Sequence, residues 1–318
     1  MHSLFIKGKF TKIEWLEAEV KLEKQQAKST FSIFVELSKL NILSLVLVST
    51  FLGYYLGNNG IGSWSLLGFT LLGTAMTSAG AGALNHYLER KPDQLMTRTK
   101  NRPIAVGSIS PLSVIIYGVS MVVIGSVILV SQVNMLTGFL SLLTAFLYIA
   151  IYTPLKRITW LNTSIGSIPG AMPIIGGWTA ATGEIGTMAW ILFGIMYLWQ
   201  HPHFYAIAWM CKDDYAAADI PMLPVTHGVA FTRLHILLYT ILLFIVTMLP
   251  YLVGMSGVFY LIGAVLLGLG FLYYTILMYF NHEDQLAMQT FSYSIVYLML
   301  LFTFLLVDHY IPMIVNSW

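Results

Sequence analysis

Asn85, Glu89 and Asp93 recur every four residues inside the stretch N-H-Y-L-E-R-K-P-D-Q-L-M-T-R-T-K-N-R-P, residues 85–103. On a continuous helix each four-residue step turns about 40°, so the three oxygen-bearing side chains would share a face of roughly 80°. Oxygen donors on one face suit a hard divalent cation such as Mg²⁺. Pro92 interrupts the pattern: it disfavours helix at Lys91 and cannot donate to the preceding turn. The expectation is therefore that Asp93 lies just past the helix end, on a loop. A second acidic group, Asp213, Asp214 and Asp219, lies in C-K-D-D-Y-A-A-A-D-I-P-M-L-P, residues 211–224. Beside these acids stand Arg98, Lys100, Arg102, Lys156 and Lys212. Acids and bases crowded together can simply neutralise one another. They also suit a diphosphate bridged by Mg²⁺, the carboxylates holding metal and the cations meeting phosphate oxygens. If that diphosphate is a leaving group, the same charges stabilise it as it departs.

The rest of the chain must position these groups, and its composition says how. With 57% hydrophobic and 9% charged residues in 318, it falls outside the range of soluble domains and reads as all-α and polytopic. Windows of about 20 apolar residues, the length that crosses a hydrocarbon core, fit at nine places. They are 40–58, 64–88, 112–131, 134–152, 161–182, 187–210, 234–254, 257–279 and 289–311. Lys and Arg near span ends stay in the cytoplasm, and with nine spans all 16 basic residues fall on one side. They lie before the first span, between spans two and three (Arg90 to Arg102), at Lys156 and Arg157, and at Lys212 and Arg233. The N-terminus is thus expected in the cytoplasm and the C-terminus outside, in a bacterial plasma (cell) membrane. Both acidic groups then lie at the cytoplasmic face, at the ends of spans two and six.

Residues 1–38 read as a cytoplasmic segment with a short charged helix at 13–28, and 39–318 as the transmembrane domain. The first residues have no apolar core typical of a signal peptide and no arginine typical of a transit peptide. The single cysteine, Cys211, excludes a disulfide within the chain. Small residues at the end of span two, Ser78 to Ala83, predict close helix packing, with or without room for a ligand beside Asn85. Span five carries Gly166, Pro169, Gly170, Pro173, Gly176 and Gly177, which predicts a kinked or partly unwound helix. Tyr148, Tyr152, Trp199, Phe204 and Tyr205 could shield an allylic carbocation with their ring faces, although such aromatics ordinarily pack or anchor. His86 turns about 100° away from Asn85 and is expected at the interface.

Four blocks resemble the UbiA superfamily of intramembrane prenyltransferases: 85–103, Y-T-P-L-K-R at 152–157, N-T-S-I-G-S-I-P-G-A-M-P-I-I-G-G-W at 162–178, and W-Q-H-P-H-F through D-Y-A-A-A-D-I-P-M-L-P-V at 199–225. The resemblance spans roughly residues 31 to 311. It implies nine helices around a central cavity, with an N-x-x-x-D-x-x-x-D motif and a second acidic motif binding diphosphate through Mg²⁺. Asn85, Glu89 and Asp93 match the first motif, with Glu89 one methylene longer than the usual aspartate; Asp213 and Asp214 match the second. The role of Asp219 stays open. Arg98, Arg102 and Lys156 match the family's cationic positions as diphosphate ligands, with Tyr152 beside them. The branch resembled most moves farnesyl from farnesyl diphosphate to a vinyl group of protohaem IX (haem B), making haem O. His203 and His201 are its candidate haem contacts, or else bonds between helices. The lipid bilayer is the implied setting, nothing calls for nucleic acid, and a haem A synthase is left open as a partner. The rival substrate is an aromatic quinone precursor. A transporter is the rival from another class, but it would place its charges near the midplane.

Overall fold

In lipid a backbone must satisfy its own hydrogen bonds, which leaves an apolar chain of this kind the helix. The computed structural model describes residues 29–281 and 283–315, with side chains through 309, and all regular structure among them is helical. The charged helix expected at 13–28 lies outside the described residues. The helices are α1 (Thr30–Leu37), α2 (Leu40–Gly57), α3 (Trp64–Asp93), α4 (Pro111–Gln132), α5 (Met135–Phe146), α6 (Asn162–Thr182), α7 (Thr187–Met210), α8 (Lys212–Ala217), α9 (Leu223–Thr226), α10 (Gly228–Val246), α11 (Val258–Phe280) and α12 (Asp284–Val315), with a further turn, Leu249–Leu252, after α10. A π-helical turn, Leu147–Tyr152, and a last α-turn, Thr153–Leu155, extend α5.

Each of the nine expected windows falls on a helix. Among the described residues seven helices are long and apolar enough to cross a membrane. The other two, α6 and α7, have the length, at 21 and 24 residues, but carry the prolines and polar side chains of the motif blocks. Composition therefore supports seven spans, and the fold supplies the two polar helices that complete the bundle.

Sequence suggested a kinked or partly unwound helix; of the two, unwinding is absent, because α6 is continuous through Pro169 and Pro173. Three of its glycines, Gly166, Gly170 and Gly177, serve close approach. A Cβ on Gly177 would lie 1.9 Å from the Thr50 carbonyl oxygen, and one on Gly53 would lie 2.0 Å from that of Ile174. Backbone of α2 and α6 thus touches backbone, the small-residue solution to packing in lipid. The small stretch of α3 behaves likewise, with Gly80 against the Gly118 carbonyl of α4.

The main core joins α2, α6, α7, α11 and α12 through Leu52, Ile174, Ile195, Phe271 and Tyr297. Two smaller clusters shape one end of the bundle. Ile33 and Leu37 of α1 pack with Ala83, Ile104 and Val114, closing the N-terminal segment over α3. Met96, from the loop after α3, packs with Ala208, Tyr215, Ile220 and Met222 around the end of α7. That second cluster brings the two acidic blocks to the same end of the molecule. At the opposite end the buried Asp308 carboxylate accepts backbone N–H from Gly257 and Tyr260, capping α11.

Candidate active site

The helix α3 runs through Pro92 and ends at Asp93, so Asp93 is helical rather than on a loop. Pro92 lies in the last turn, where it removes the backbone hydrogen bond to the Leu88 carbonyl four residues back, and side chains tie the end down. Thr99 donates to the Asp93 carbonyl at 3.1 Å and Arg102 Nη1 donates to Asp93 Oδ2 at 2.7 Å. Asn85, Glu89 and Asp93 consequently share one face, and all are buried, with exposures of 1%, 8% and 0%.

Each oxygen group on this face meets a cation. Lys39 Nζ donates to Asn85 Oδ1 at 2.5 Å. Lys156 Nζ donates to Glu89 Oε1 at 2.8 Å, and Arg102 Nη1 lies 3.7 Å from Glu89 Oε2. Burial, opposed by Glu89 and reinforced by Arg102 and Lys156, pushes the Lys39 pKa down to about 7. Burial also works against the charge on Lys156, but the Glu89 carboxylate outweighs it and holds that pKa above the usual lysine range. Tyr148 and Tyr152 stack at 5.5 Å between ring centroids, and the Tyr148 hydroxyl is 3.4 Å from Lys39 Nζ.

The donor chemistry of this face fits a magnesium ion. All three groups offer oxygen, and Asp93 Oδ1 is buried with no hydrogen-bond partner, an arrangement that asks for a cation. Among the described residues no three His, Cys, Asp or Glu side chains form a metal-holding group. Mg²⁺ is commonly held by one or two carboxylates with substrate phosphates completing its shell, so two carboxylates and an amide suffice when a diphosphate is present.

The second acidic block sits differently. Asp214 accepts N–H from Thr97 and Arg98, each at 3.2 Å, one on each carboxylate oxygen. Slight burial works against its charge, but those N–H groups hold its pKa below the usual range. Asp213 and Asp219 are exposed. Asp214 thus clasps the loop that follows α3, and Arg98 Nη2 reaches the Tyr215 hydroxyl at 3.1 Å. The two blocks are neighbours, but their carboxylates do not converge into one cluster.

The remaining expected residues divide. His201 is fully buried with both ring nitrogens engaged, by Ser164 Oγ at 3.0 Å and the Tyr197 carbonyl at 2.9 Å. It also stacks on Tyr239 at 3.8 Å. His203 is half-buried, with Nδ1 2.7 Å from Ser294 Oγ and its ring on Trp199. Trp199 donates to the Ser294 carbonyl and Tyr205 packs with Trp209 and Leu223, so neither joins Tyr148 and Tyr152. His86 is buried at 3% exposure rather than interfacial, because the N-terminal segment and the loop after α3 cover this end of α3. Sequence reading missed Lys39 and Thr153. The one hint of Lys39 was a lone cation directly before the first span; Thr153, inside the Y-T-P-L-K-R block, gave none.

Residues 46–306 match the model of the UbiA prenyltransferase family. A relative named protoheme IX farnesyltransferase, from Marinobacter nauticus, is 44% identical over 279 residues, covering 87% of this chain and 92% of its own. Among solved structures, one described as digeranylgeranylglyceryl phosphate synthase has a TM-score of 0.76 at 15% identity, covering 88% of this chain and 98% of that one. A UbiA homolog from Archaeoglobus fulgidus, bound to GPP and Mg²⁺, has a TM-score of 0.56 at 15% identity, covering 84% and 99%.

Proposed function

The chain belongs to the UbiA prenyltransferase family, and from that premise we propose that it transfers farnesyl from farnesyl diphosphate to a vinyl group of protohaem IX, giving haem O. One observation carries the proposal: three oxygen groups on one face of α3 are each met by a separate cation, Lys39, Lys156 and Arg102. That is the charge pattern a metal-bound diphosphate would enter. Relatives 44% and 45% identical, each over 87% of the chain, are named for the same activity.

Arg102, Lys156 and Arg98 bind the diphosphate, with Lys39 joining them from α2's start. Asn85, Glu89 and Asp93 would hold the magnesium ion, which would supply Lewis-acid neutralisation of the departing charge. Asp213 and Asp214 stand beside this site as the second acidic block, Asp214 fixing the loop that carries Arg98. As the farnesyl C–O bond breaks, both electrons go to diphosphate, whose growing charge the cations stabilise in a setting of low dielectric. Tyr148 and Tyr152 present ring faces toward the allylic cation. The haem vinyl π pair forms the new C–C bond, and water adds to the resulting cation and loses a proton, leaving a hydroxyethylfarnesyl group. Of the two histidines, His203 is the haem contact, because its Nε2 has no partner among the described residues, whereas His201 has both nitrogens engaged.

The site lies at the cytoplasmic leaflet of the cell membrane, with the N-terminus inside and the C-terminus outside, and a haem A synthase is the partner that would take the product. The deciding experiment incubates purified, detergent-solubilised protein with haem, farnesyl diphosphate and Mg²⁺ and weighs the porphyrin. A gain of one farnesyl group and one hydroxyl is expected. No gain, with prenylation of an aromatic quinone precursor instead, overturns the assignment. Detergent leaves no compartments, so turnover there also separates an enzyme from a carrier.

A further inference from the structure

One hydroxyl decides which way the Asn85 amide points. Thr153 closes the π-helical turn Leu147–Tyr152, and its backbone N–H donates five residues back to the Tyr148 carbonyl. Such single π turns often mark functional sites. The side-chain hydroxyl donates to the same carbonyl at 2.8 Å. A threonine hydroxyl has a single proton, and a carbonyl oxygen only accepts, so that proton is committed. What Thr153 Oγ1 has left are lone pairs, which can only accept, and at 2.9 Å it accepts from Asn85 Nδ2. The carboxamide is then set with nitrogen toward Thr153 and Oδ1 toward the cations. Lys39, a group with donors only, agrees from the other side. Reversed, the amide would put its oxygen against the Thr153 oxygen and its NH₂ against an ammonium.

We propose that Thr153 is a positioning residue, holding Asn85 so that its carbonyl oxygen, and not its NH₂, faces the metal-diphosphate. The inference rests on the metal site given under the proposed function. Asn85 is the one member of the first motif that needs such a guide. Glu89 and Asp93 have two equivalent oxygens and serve in either orientation, whereas a flipped Asn85 presents donors to a cation. Thr153 is 3% exposed, so no solvent competes for its hydroxyl.

The test measures Mn²⁺ binding to the full-length protein in detergent by electron paramagnetic resonance, with a non-hydrolysable farnesyl diphosphate analogue present. Thr153→Val keeps the shape and branching and removes the hydroxyl; Thr153→Ser keeps the hydroxyl. Residues behind metal ligands typically contribute 10- to 100-fold in affinity, so Thr153→Val is expected to raise the Mn²⁺ Kd by about that factor. Thr153→Ser is expected to bind like the wild type. In an Asn85→Asp background, where either oxygen can face the metal, adding Thr153→Val is expected to change the Kd little. Unchanged binding in Thr153→Val overturns the proposal, as does a Thr153→Ser variant as weak as the valine. An equal loss in the Asn85→Asp background would show that the hydroxyl acts through something other than the amide, which also overturns it. Should the valine variant not fold, the serine variant and Thr153→Ala supply the same comparison. A wild type that fails to bind Mn²⁺ with the analogue sinks the metal assignment itself, a different failure from wild-type binding that Thr153→Val leaves intact.

Discussion

Replacing Lys156 with methionine should separate what the site contributes to stability from what it contributes to turnover. The Lys156 and Glu89 side chains are 12% and 10% exposed and meet at 2.8 Å, so solvent screens their pairing weakly. Breaking a buried pair by removing one partner costs about 3–5 kcal/mol, mainly because a charge is left without compensation. Arg102, 3.7 Å from the other Glu89 oxygen, recovers part of this, and we take about 2–3 kcal/mol as the loss for Lys156→Met. In turnover the variant loses a charge-assisted contact to the leaving diphosphate, worth about 1.5–3 kcal/mol. At 1.36 kcal/mol per decade this is roughly a 10- to 150-fold fall in kcat/KM for farnesyl diphosphate.

The double variant Lys156→Met with Glu89→Gln distinguishes the two effects. Neutralising Glu89 removes the stranded charge, so thermal stability in detergent should return most of the way to wild type. Activity should not return, because the diphosphate still lacks its lysine and the metal has lost a carboxylate. The assays are a thermal melt followed by tryptophan fluorescence and steady-state kinetics with the porphyrin product quantified by mass. If the double variant melts no higher than Lys156→Met, Glu89 is not carrying a stranded charge. If Lys156→Met keeps wild-type kcat/KM, the lysine does not meet the leaving group.

Chelating Mg²⁺ with EDTA should abolish product, and Glu89→Ala should turn over poorly at limiting Mg²⁺; wild-type rates in that variant would remove Glu89 from the metal shell. Gly177→Ala places a Cβ 1.9 Å from the Thr50 carbonyl oxygen, so α2 and α6 must part. A loss of about 1–3 kcal/mol in stability is expected, read as a lower melting temperature, and an unshifted melt would show the contact to be slack. Asp308→Ala uncaps α11 by removing the acceptor for Gly257 and Tyr260. It should cost about 1–2 kcal/mol while leaving kcat/KM unchanged, because the cap lies at the far end of the bundle. A haem-binding spectrum unchanged in His203→Ala would remove that residue from the haem site.

The chain's periodicity exposed the first motif because spacing by four is a property of one helix, and Asn85, Glu89 and Asp93 lie on one helix. Seven of the expected spans were legible for the same reason, since length and apolarity are local. Three features were not. Lys39 reaches Asn85 across 46 positions because the chain turns sharply between α1 and α2, at a non-glycine residue with φ 51°, and no residue type announces that turn. Pro92 and the prolines of α6 read as breaks, since sequence cannot show that side chains such as Arg102 and Thr99 secure the helix end. Asp214's hold on the loop after α3 was hidden as well, since only the fold places the Thr97 and Arg98 amides against it.

These hidden contacts share a cause that bears on how the site works. Two carboxylates and an amide cannot sit buried at a membrane face with no partner, because an uncompensated ion there costs several kcal/mol. The fold therefore has to supply cations before any substrate arrives, and it takes them from three separate places: the start of α2, the loop after α3 and the end of the α5 extension. A metal-diphosphate entering this face brings positive charge for the carboxylates and negative charge for the cations together. Each existing ion pair can then exchange its partner for one of opposite origin without passing through a bare charge. On this account the site is stable when empty and receptive when filled for the same reason. It follows that variants neutralising an acid and its own cation together should keep the fold and lose the chemistry.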